Sequence, residues 1–276
     1  MSSRFLIINC EDSLKWTPTD FGMMFETLLS DKLKNENWDS VNLARGDLLP
    51  EDIMNYTGVV ITGSHYNVRD MKTWYQNLID FIKYSAEVGY PKIYGGCFGC
   101  QIIGHALGGK VNKNPGEIFI LKIENILFLP GFRSLFSDGD KESLRLIESH
   151  GDCVEVLPEQ AKLVASSKSC KHEMFICGIK DNIFACQSHP EFELQYASKI
   201  INHIAYITFI LFPYIFINLI CFFFITTVTE RIWPSCVETS HRLTEDQIKE
   251  ALDSFSNYTV EDSYTLIDFI KKFLKN

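Results

Sequence analysis

Lys92-Ile93-Tyr94-Gly95-Gly96-Cys97-Phe98-Gly99-Cys100-Gln101 is the stretch on which the reading of this chain turns. A short apolar strand runs into a glycine cluster, and a helical pattern follows to Leu107, where Gly108-Gly109 ends it. A side chain at the apex of so sharp a strand-to-helix turn is forced into strained φ/ψ. The residues two before and two after approach so closely that a Cβ there would clash, and Gly95 and Gly99 meet that need. The turn sets Cys97 at a helix N-terminus, where free N–H groups and the helix dipole favour a thiolate. Phe98 would aim its backbone N–H at a developing oxyanion.

A nucleophile of this kind needs a base. Ser188-His189-Pro190-Glu191 supplies one, ninety-two residues beyond Cys97 and directly after the apolar run Ile183 to Gln187. The residue before proline is biased to extended backbone, in which positions i and i+2 share a face, so Glu191 can turn back to the His189 ring. Cys97, His189 and Glu191 thereby form a candidate triad. The rival reading of Cys97-Phe98-Gly99-Cys100 is a Cys-x-x-Cys redox or zinc pair. Zinc would need two further ligands at suitable spacing, and a redox reading leaves His189-Pro190-Glu191 without a role. No metal site and no cofactor is expected.

Outward from the elbow, apolar runs alternate with amphipathic segments. Phe5 to Ile8, Gly58 to Thr62 and Lys92 to Tyr94 read as strands, and Phe21 to Leu33 and Met71 to Val88 as helices. Continuously apolar strands between helices imply a parallel sheet covered on both faces. Beyond Gly109 the texture turns β-rich (Phe119 to Ile123, Lys162 to Ala165, Met174 to Ile179, Ile183 to Gln187), which points to antiparallel additions. Phe192 to Asn202 is helical in pattern. Two capped amphipathic helices close the chain, with Thr244 before Glu245 to Phe255 and Thr259 before Glu261 to Leu274.

Composition narrows the function classes. The 276 residues are 46% apolar and 22% charged, enough for a large core, and the net charge is −9 with no extended Lys/Arg cluster, which argues against nucleic acid as a partner. Nine irregularly spaced cysteines and no signal-peptide pattern fit a reducing cytosol. Cys10, Cys153, Cys170, Cys177, Cys186, Cys221 and Cys236 are expected to be small apolar fillers. His65, His172 and His241 are expected to be surface or satisfied histidines.

One segment stands apart. Ile204 to Thr229 is 26 residues without a charge, long enough for a membrane span and so for a membrane anchor. Its Phe222-Phe223-Phe224 and repeated Ile, Tyr, Phe and Leu also resemble translated noncoding sequence, and we read it as a non-native insert, with a genuine anchor and a buried helix as the alternatives.

Together the Gly95 to Gly99 elbow, Gln101, the Gly63-Ser64 turn, Ser149-His150-Gly151-Asp152 and His189-Pro190-Glu191 resemble the class I glutamine amidotransferase domain over about residues 4 to 202. Within it the chain looks most like the stand-alone subgroup that includes the plant γ-glutamyl peptidases. It departs from them at Cys100, where histidine or methionine is common, and in the apolar segment. The likeness implies an α/β fold, a three-layer αβα mixed sheet of flavodoxin-like type. It divides the chain into a catalytic domain (1–202), the apolar segment (203–229) and a C-terminal helical cap (230–276). It further implies Cys97 as nucleophile, His189 as base, Glu191 as its orienter, the N–H groups of Gly63 and Phe98 as an oxyanion hole, and Gln101 in the γ-glutamyl pocket. Ser149 and His150 would either help bind the glutamyl group or form a plain polar turn. The implied reaction is hydrolysis of a γ-glutamyl amide, such as a γ-glutamyl peptide, glutathione or its conjugate; no phosphate-binding loop for a synthetase is present. The alternative is a glutaminase subunit that passes ammonia to a separate synthetase.

Overall fold

In the computed structural model the described residues are 3–13, 16, 20–31, 35–135, 141–192, 244–255 and 258–275. Eleven strands among them are β1 (Ser3–Asn9), β2 (Glu36–Asn42), β3 (Gly58–Ile61), β4 (Lys92–Gly96), β5 (Lys110–Lys113), β6 (Ile120–Phe128), β7 (Ser143–His150), β8 (Asp152–Val156), β9 (Lys162–Ser166), β10 (Met174–Cys177) and β11 (Ile183–Cys186). The helices are α1 (Phe21–Leu29), α2 (Tyr75–Val88), α3 (Phe98–Ala106), α4 (Glu245–Phe255) and α5 (Glu261–Lys275).

Nine strands make one mixed sheet in the order β2-β1-β3-β4-β11-β10-β9-β6-β7. The half from β2 to β11 is parallel and the half from β11 to β7 antiparallel, so the change of texture after Gly109 is a change of strand direction. Strands β5 and β8 pair separately. Cys97 lies beyond the carboxyl end of β4 and His189 beyond that of the neighbouring β11, where open α/β sheets place their sites.

Alternate residues of the central strands feed two cores. On one face Leu6, Ile8, Val59, Ile61 and Ile93 pack with Leu78 and Ile82 of α2 and Ile102 and Ile103 of α3. On the other, Phe5, Ile7, Val60, Tyr94 and Phe184 pack with Phe25 and Leu29 of α1 and Leu266, Ile267, Ile270 and Leu274 of α5. These are the three layers expected. The α5 helix closes the second layer: a Cβ on Gly58 would lie 3.1 Å from a Leu274 methyl, and Lys275 pairs with Glu36 at 2.7 Å and donates to the Leu29 carbonyl. Ahead of it, Thr244 and Gln247 cap α4 reciprocally, each side chain accepting from the other's backbone N–H.

The segment 203–229 lies outside the described residues, as does the expected helix Phe192 to Asn202 beyond its first residue. Among the described residues no helix is long and apolar enough to cross a membrane.

Candidate active site

Cys97 occupies the turn between β4 and α3 with φ 48° and ψ −103°, a conformation that non-glycine residues adopt only under strain. Its surroundings hold it there. The Cys97 N–H donates to the Cys186 carbonyl at 2.8 Å. A Cβ on Gly99 would lie 2.3 Å from the Ile61 carbonyl oxygen, and one on Gly95 would lie 2.7 Å from the Gly99 carbonyl carbon. Both positions therefore exclude any side chain, as the elbow requires.

His189 is fixed from three directions. Its N–H donates to the Ile147 carbonyl of β7 at 2.9 Å, and its Nδ1 lies 2.7 Å from Glu191 Oε1. A carboxylate only accepts, so Nδ1 carries a proton and Nε2 is the ring nitrogen that Glu191 does not engage. Burial alone would lower the imidazole pKa; the negative charge on Cys97 and Glu191 outweighs it and holds the ring well above its ordinary value. Phe192 then stacks flat on the imidazole, centroids 4.3 Å apart and planes 8° from parallel. Phe21 and Trp16 back Phe192 at 5.7 and 5.5 Å, and Tyr258, just ahead of α5, joins the same cluster. Sequence reasoning missed this aromatic wall. Phe192 directly follows Glu191, but nothing in a lone Phe indicates that it will stack on the histidine three positions back.

Gly63 faces the pair: a Cβ there would lie 3.2 Å from His189 Cε1 and 3.7 Å from Cys97 Cβ. Among the described residues, neither the Gly63 N–H nor the Phe98 N–H donates to another group of the protein. The turn carrying Gly63 is braced by Glu11, which is buried and accepts from the backbone N–H groups of Ser13 (2.7 Å) and His65 (2.9 Å) and contacts His65 Nδ1 at 2.7 Å. Glu11, Asp12 and His65 are also the one grouping among the described residues whose ligand atoms lie close enough for a shared metal ion. The bonds of Glu11 to this turn give it a bracing role without one.

Gln101 and the Ser149 to Asp152 run close the site on the far side. The Gln101 amide nitrogen donates to the Asp152 carbonyl at 2.8 Å and to Gln187 Oε1 at 3.2 Å, so its Oε1 is the atom left to meet a ligand. The Ser149 carbonyl approaches Cys97 Sγ at 3.9 Å. His150 points inward instead: Nδ1 lies 3.0 Å from the Asp152 carbonyl and 3.1 Å from Asn114 Oδ1, and Nε2 is 3.4 Å from Glu148 Oε2. Only Gly151 turns the chain; Ser149 and His150 end β7 and Asp152 begins β8. Arg69 caps Asp152 with a two-pronged ion pair at 2.9 Å. Behind His150, burial raises the Glu148 carboxyl to about 8 and lifts that of Glu173 well above the usual range. The second cysteine of the elbow, Cys100, is wholly buried in the core under α3, and burial raises its thiol pKa well above normal.

This geometry has relatives. The family model described as glutamine amidotransferase class-I matches residues 17–205. γ-Glutamyl peptidase 4 of Arabidopsis thaliana is 35% identical over 208 residues, 72% of this chain and 79% of that protein. A glutamine-hydrolysing GMP synthase of Lachnospira eligens is 29% identical over 181 residues, which cover 65% of this chain and 32% of the synthase. A crystal structure of a glutamine amidotransferase from Thermotoga maritima superposes with a TM-score of 0.67 over the full length of both chains at 17% identity, a likeness of fold alone.

Proposed function

The chain belongs to the class-I glutamine amidotransferase family and is a hydrolase of that family; on that premise we propose that it cleaves γ-glutamyl amide bonds through a thioester on Cys97. The Cys97 thiolate, paired with the His189 imidazolium, attacks the γ-carbonyl carbon. The oxygen that gains charge meets the N–H groups of Gly63 and Phe98. His189 gives its proton to the departing amine while Glu191 holds the ring through Nδ1. Water, deprotonated by the now neutral His189, then hydrolyses the thioester and releases glutamate. In this reading Gln101 Oε1 accepts from the substrate's α-ammonium group, its amide nitrogen being held by the Asp152 carbonyl and Gln187.

The observation that carries this reading is the convergence of Cys97, His189 and Glu191 around a pair of unengaged backbone donors. The substrate class we favour is a γ-glutamyl peptide such as glutathione or its conjugate, supported by the likeness to γ-glutamyl peptidase 4 across most of that protein. A second reading, a glutaminase that hands ammonia to a separate synthetase, is supported by the match to about one third of a GMP synthase. Release of glutamate from glutamine, glutathione and a glutathione conjugate separates the two: a peptidase prefers the γ-glutamyl peptides, a glutaminase prefers glutamine. Glutamate from none of the three would refute both.

A further inference from the structure

Glu148 and His150 stand two apart on β7, so their side chains share one face, and both are buried. The proton on the His150 ring is placed by its neighbours. The Asn114 amide nitrogen donates to the carbonyls of Ile118 (3.0 Å) and His150 (2.8 Å), which leaves Asn114 Oδ1 facing His150 Nδ1 at 3.1 Å. The Asp152 carbonyl lies 3.0 Å from the same nitrogen. Two oxygens that only accept fix a hydrogen on Nδ1, and in the neutral ring Nε2 is then a bare lone pair.

Glu148 Oε2 faces that lone pair from 3.4 Å. Among the described residues neither Nε2 nor either Glu148 oxygen has a hydrogen-bond partner. A carboxylate and a bare nitrogen sealed together at this distance repel, and a single proton between them turns the contact favourable. The charged groups around Glu148 do not offer another partner. Lys122, opposite it on β6, is drawn to Glu250 at 3.0 Å and Glu124 at 3.7 Å. Glu124 and Glu173 are acidic themselves and both accept from the Ser167 hydroxyl. From the β11 side come the Cys186 thiol and His189, whose ring is met by Glu191. Burial acts the same way on both members of the pair, raising the Glu148 carboxyl to about 8 and lowering the His150 imidazole, so each favours its neutral form.

We propose that Glu148 is a positioning residue for the candidate site, a neutral carboxylic acid that donates to His150 Nε2 and so locks the ring tautomer that holds the Asp152 carbonyl. That carbonyl accepts from His150 Nδ1 on one side and from the Gln101 amide nitrogen, at 2.8 Å, on the other. The orientation of Gln101 therefore depends, through two hydrogen bonds, on a proton that never touches the ligand.

The arrangement has a pH-dependent consequence. When Glu148 loses its proton to solvent, its charge faces the Nε2 lone pair. The ring relieves the repulsion by carrying its own proton on Nε2, which leaves Nδ1 bare against two oxygens and frees the Asp152 carbonyl. Gln101 then keeps only its longer bond, to Gln187 at 3.2 Å, and a γ-glutamyl ligand binds less well above about pH 8 than below it. This effect on binding rests on the hydrolase reading; the shared proton does not.

Nitrogen NMR of wild-type protein carrying labelled histidine reads the ring state directly, with His150→Gln assigning the signal. Near pH 7 His150 is expected to be neutral and protonated on Nδ1, and to switch tautomer with an inflection near pH 8. Glu148→Gln is expected to abolish the inflection, because an amide donates to Nε2 but has no proton to lose in this range. A ring protonated on Nε2 or on both nitrogens near pH 7, or an inflection that survives in Glu148→Gln, overturns the proposal. Calorimetric binding of glutathione to Cys97→Ser, which removes the elbow thiol, is the second readout. Its Kd is expected to rise several-fold between about pH 7 and pH 8.5, and the rise to disappear when Glu148→Gln is added. An equal rise in both proteins overturns the coupling to Gln101. Absence of glutathione binding at any pH, with the tautomer switch present, would count against the γ-glutamyl reading and leave the shared proton standing.

Discussion

At the scale of single residues, the division of labour between the two elbow cysteines is set by backbone geometry. Cys97 occupies the strained apex beside His189 and Gly63, and Cys100, one turn into α3, is packed in the core. Cys97→Ser is therefore expected to abolish hydrolysis and Cys100→Ser to keep most of it; loss in both would restore the Cys-x-x-Cys reading. His189→Ala removes the proposed base and should cost about 10² to 10⁴ in rate. Glu191→Gln should cost less and report through pH. The His189 pKa is held up partly by the Glu191 charge, and the imidazolium must be present to protonate the leaving amine. The rate therefore falls as pH rises through that pKa, and removing the charge moves this alkaline limb to lower pH. An unmoved limb in Glu191→Gln would take Glu191 out of the site. The two halves of the candidate triad were legible in the sequence because each is local, with glycines two either side of a cysteine and a carboxylate two beyond a histidine; their meeting depends on β11 pairing with β4. The Phe192, Phe21 and Trp16 wall and the Glu11 brace were not, because they depend on which loops meet above the sheet.

At the scale of elements, β1, β3, β4 and α2 announced themselves by apolar runs and helical period. The edge strand β2, Glu36-Asn37-Trp38-Asp39-Ser40-Val41-Asn42, did not. It pairs with β1 alone and is half exposed, so its residues carry no buried-strand pattern. β7 and β8 likewise show no strict alternation, and only the Ser149 to Asp152 motif marked their junction. The elbow yields the sharpest prediction here. A methyl group added at Gly99 would sit 2.3 Å from a backbone oxygen of β3, which cannot swing aside as a side chain would. Gly99→Ala is expected to destabilise the fold by about 1 to 3 kcal/mol or more, read from the urea midpoint, and to depress activity by displacing Cys97. A variant as stable as wild type would mean that α3 is not seated against β3 as described.

At the scale of the whole molecule, the placement of α5 decides how the apolar segment can be accommodated. Leu266, Ile267, Ile270 and Leu274 share one core with Phe5, Val60 and Phe184. Residues 3–192 and 258–275 must therefore lie on the same side of any membrane, whereas a single crossing by 204–228 would part them. The amphipathic pattern of α5 was legible in the sequence; its seat on β1, β3 and β4 was not, since any apolar stripe fits many faces. Joining Asn202 directly to Glu230 is expected to give a folded, active protein, and truncation before Glu261 to expose the second core and unfold it. A deletion variant that loses its fold would show that 203–229 belongs to the native structure. The proposed reaction requires that Cys97 carry the glutamyl group. Acid quenching during turnover of a γ-glutamyl peptide, followed by peptide mapping, tests it most directly. The account predicts one glutamyl residue attached as a thioester to Cys97, accumulating in wild type and absent in Cys97→Ser. Glutamate release with the adduct on another residue, or undiminished in Cys97→Ser, would contradict it.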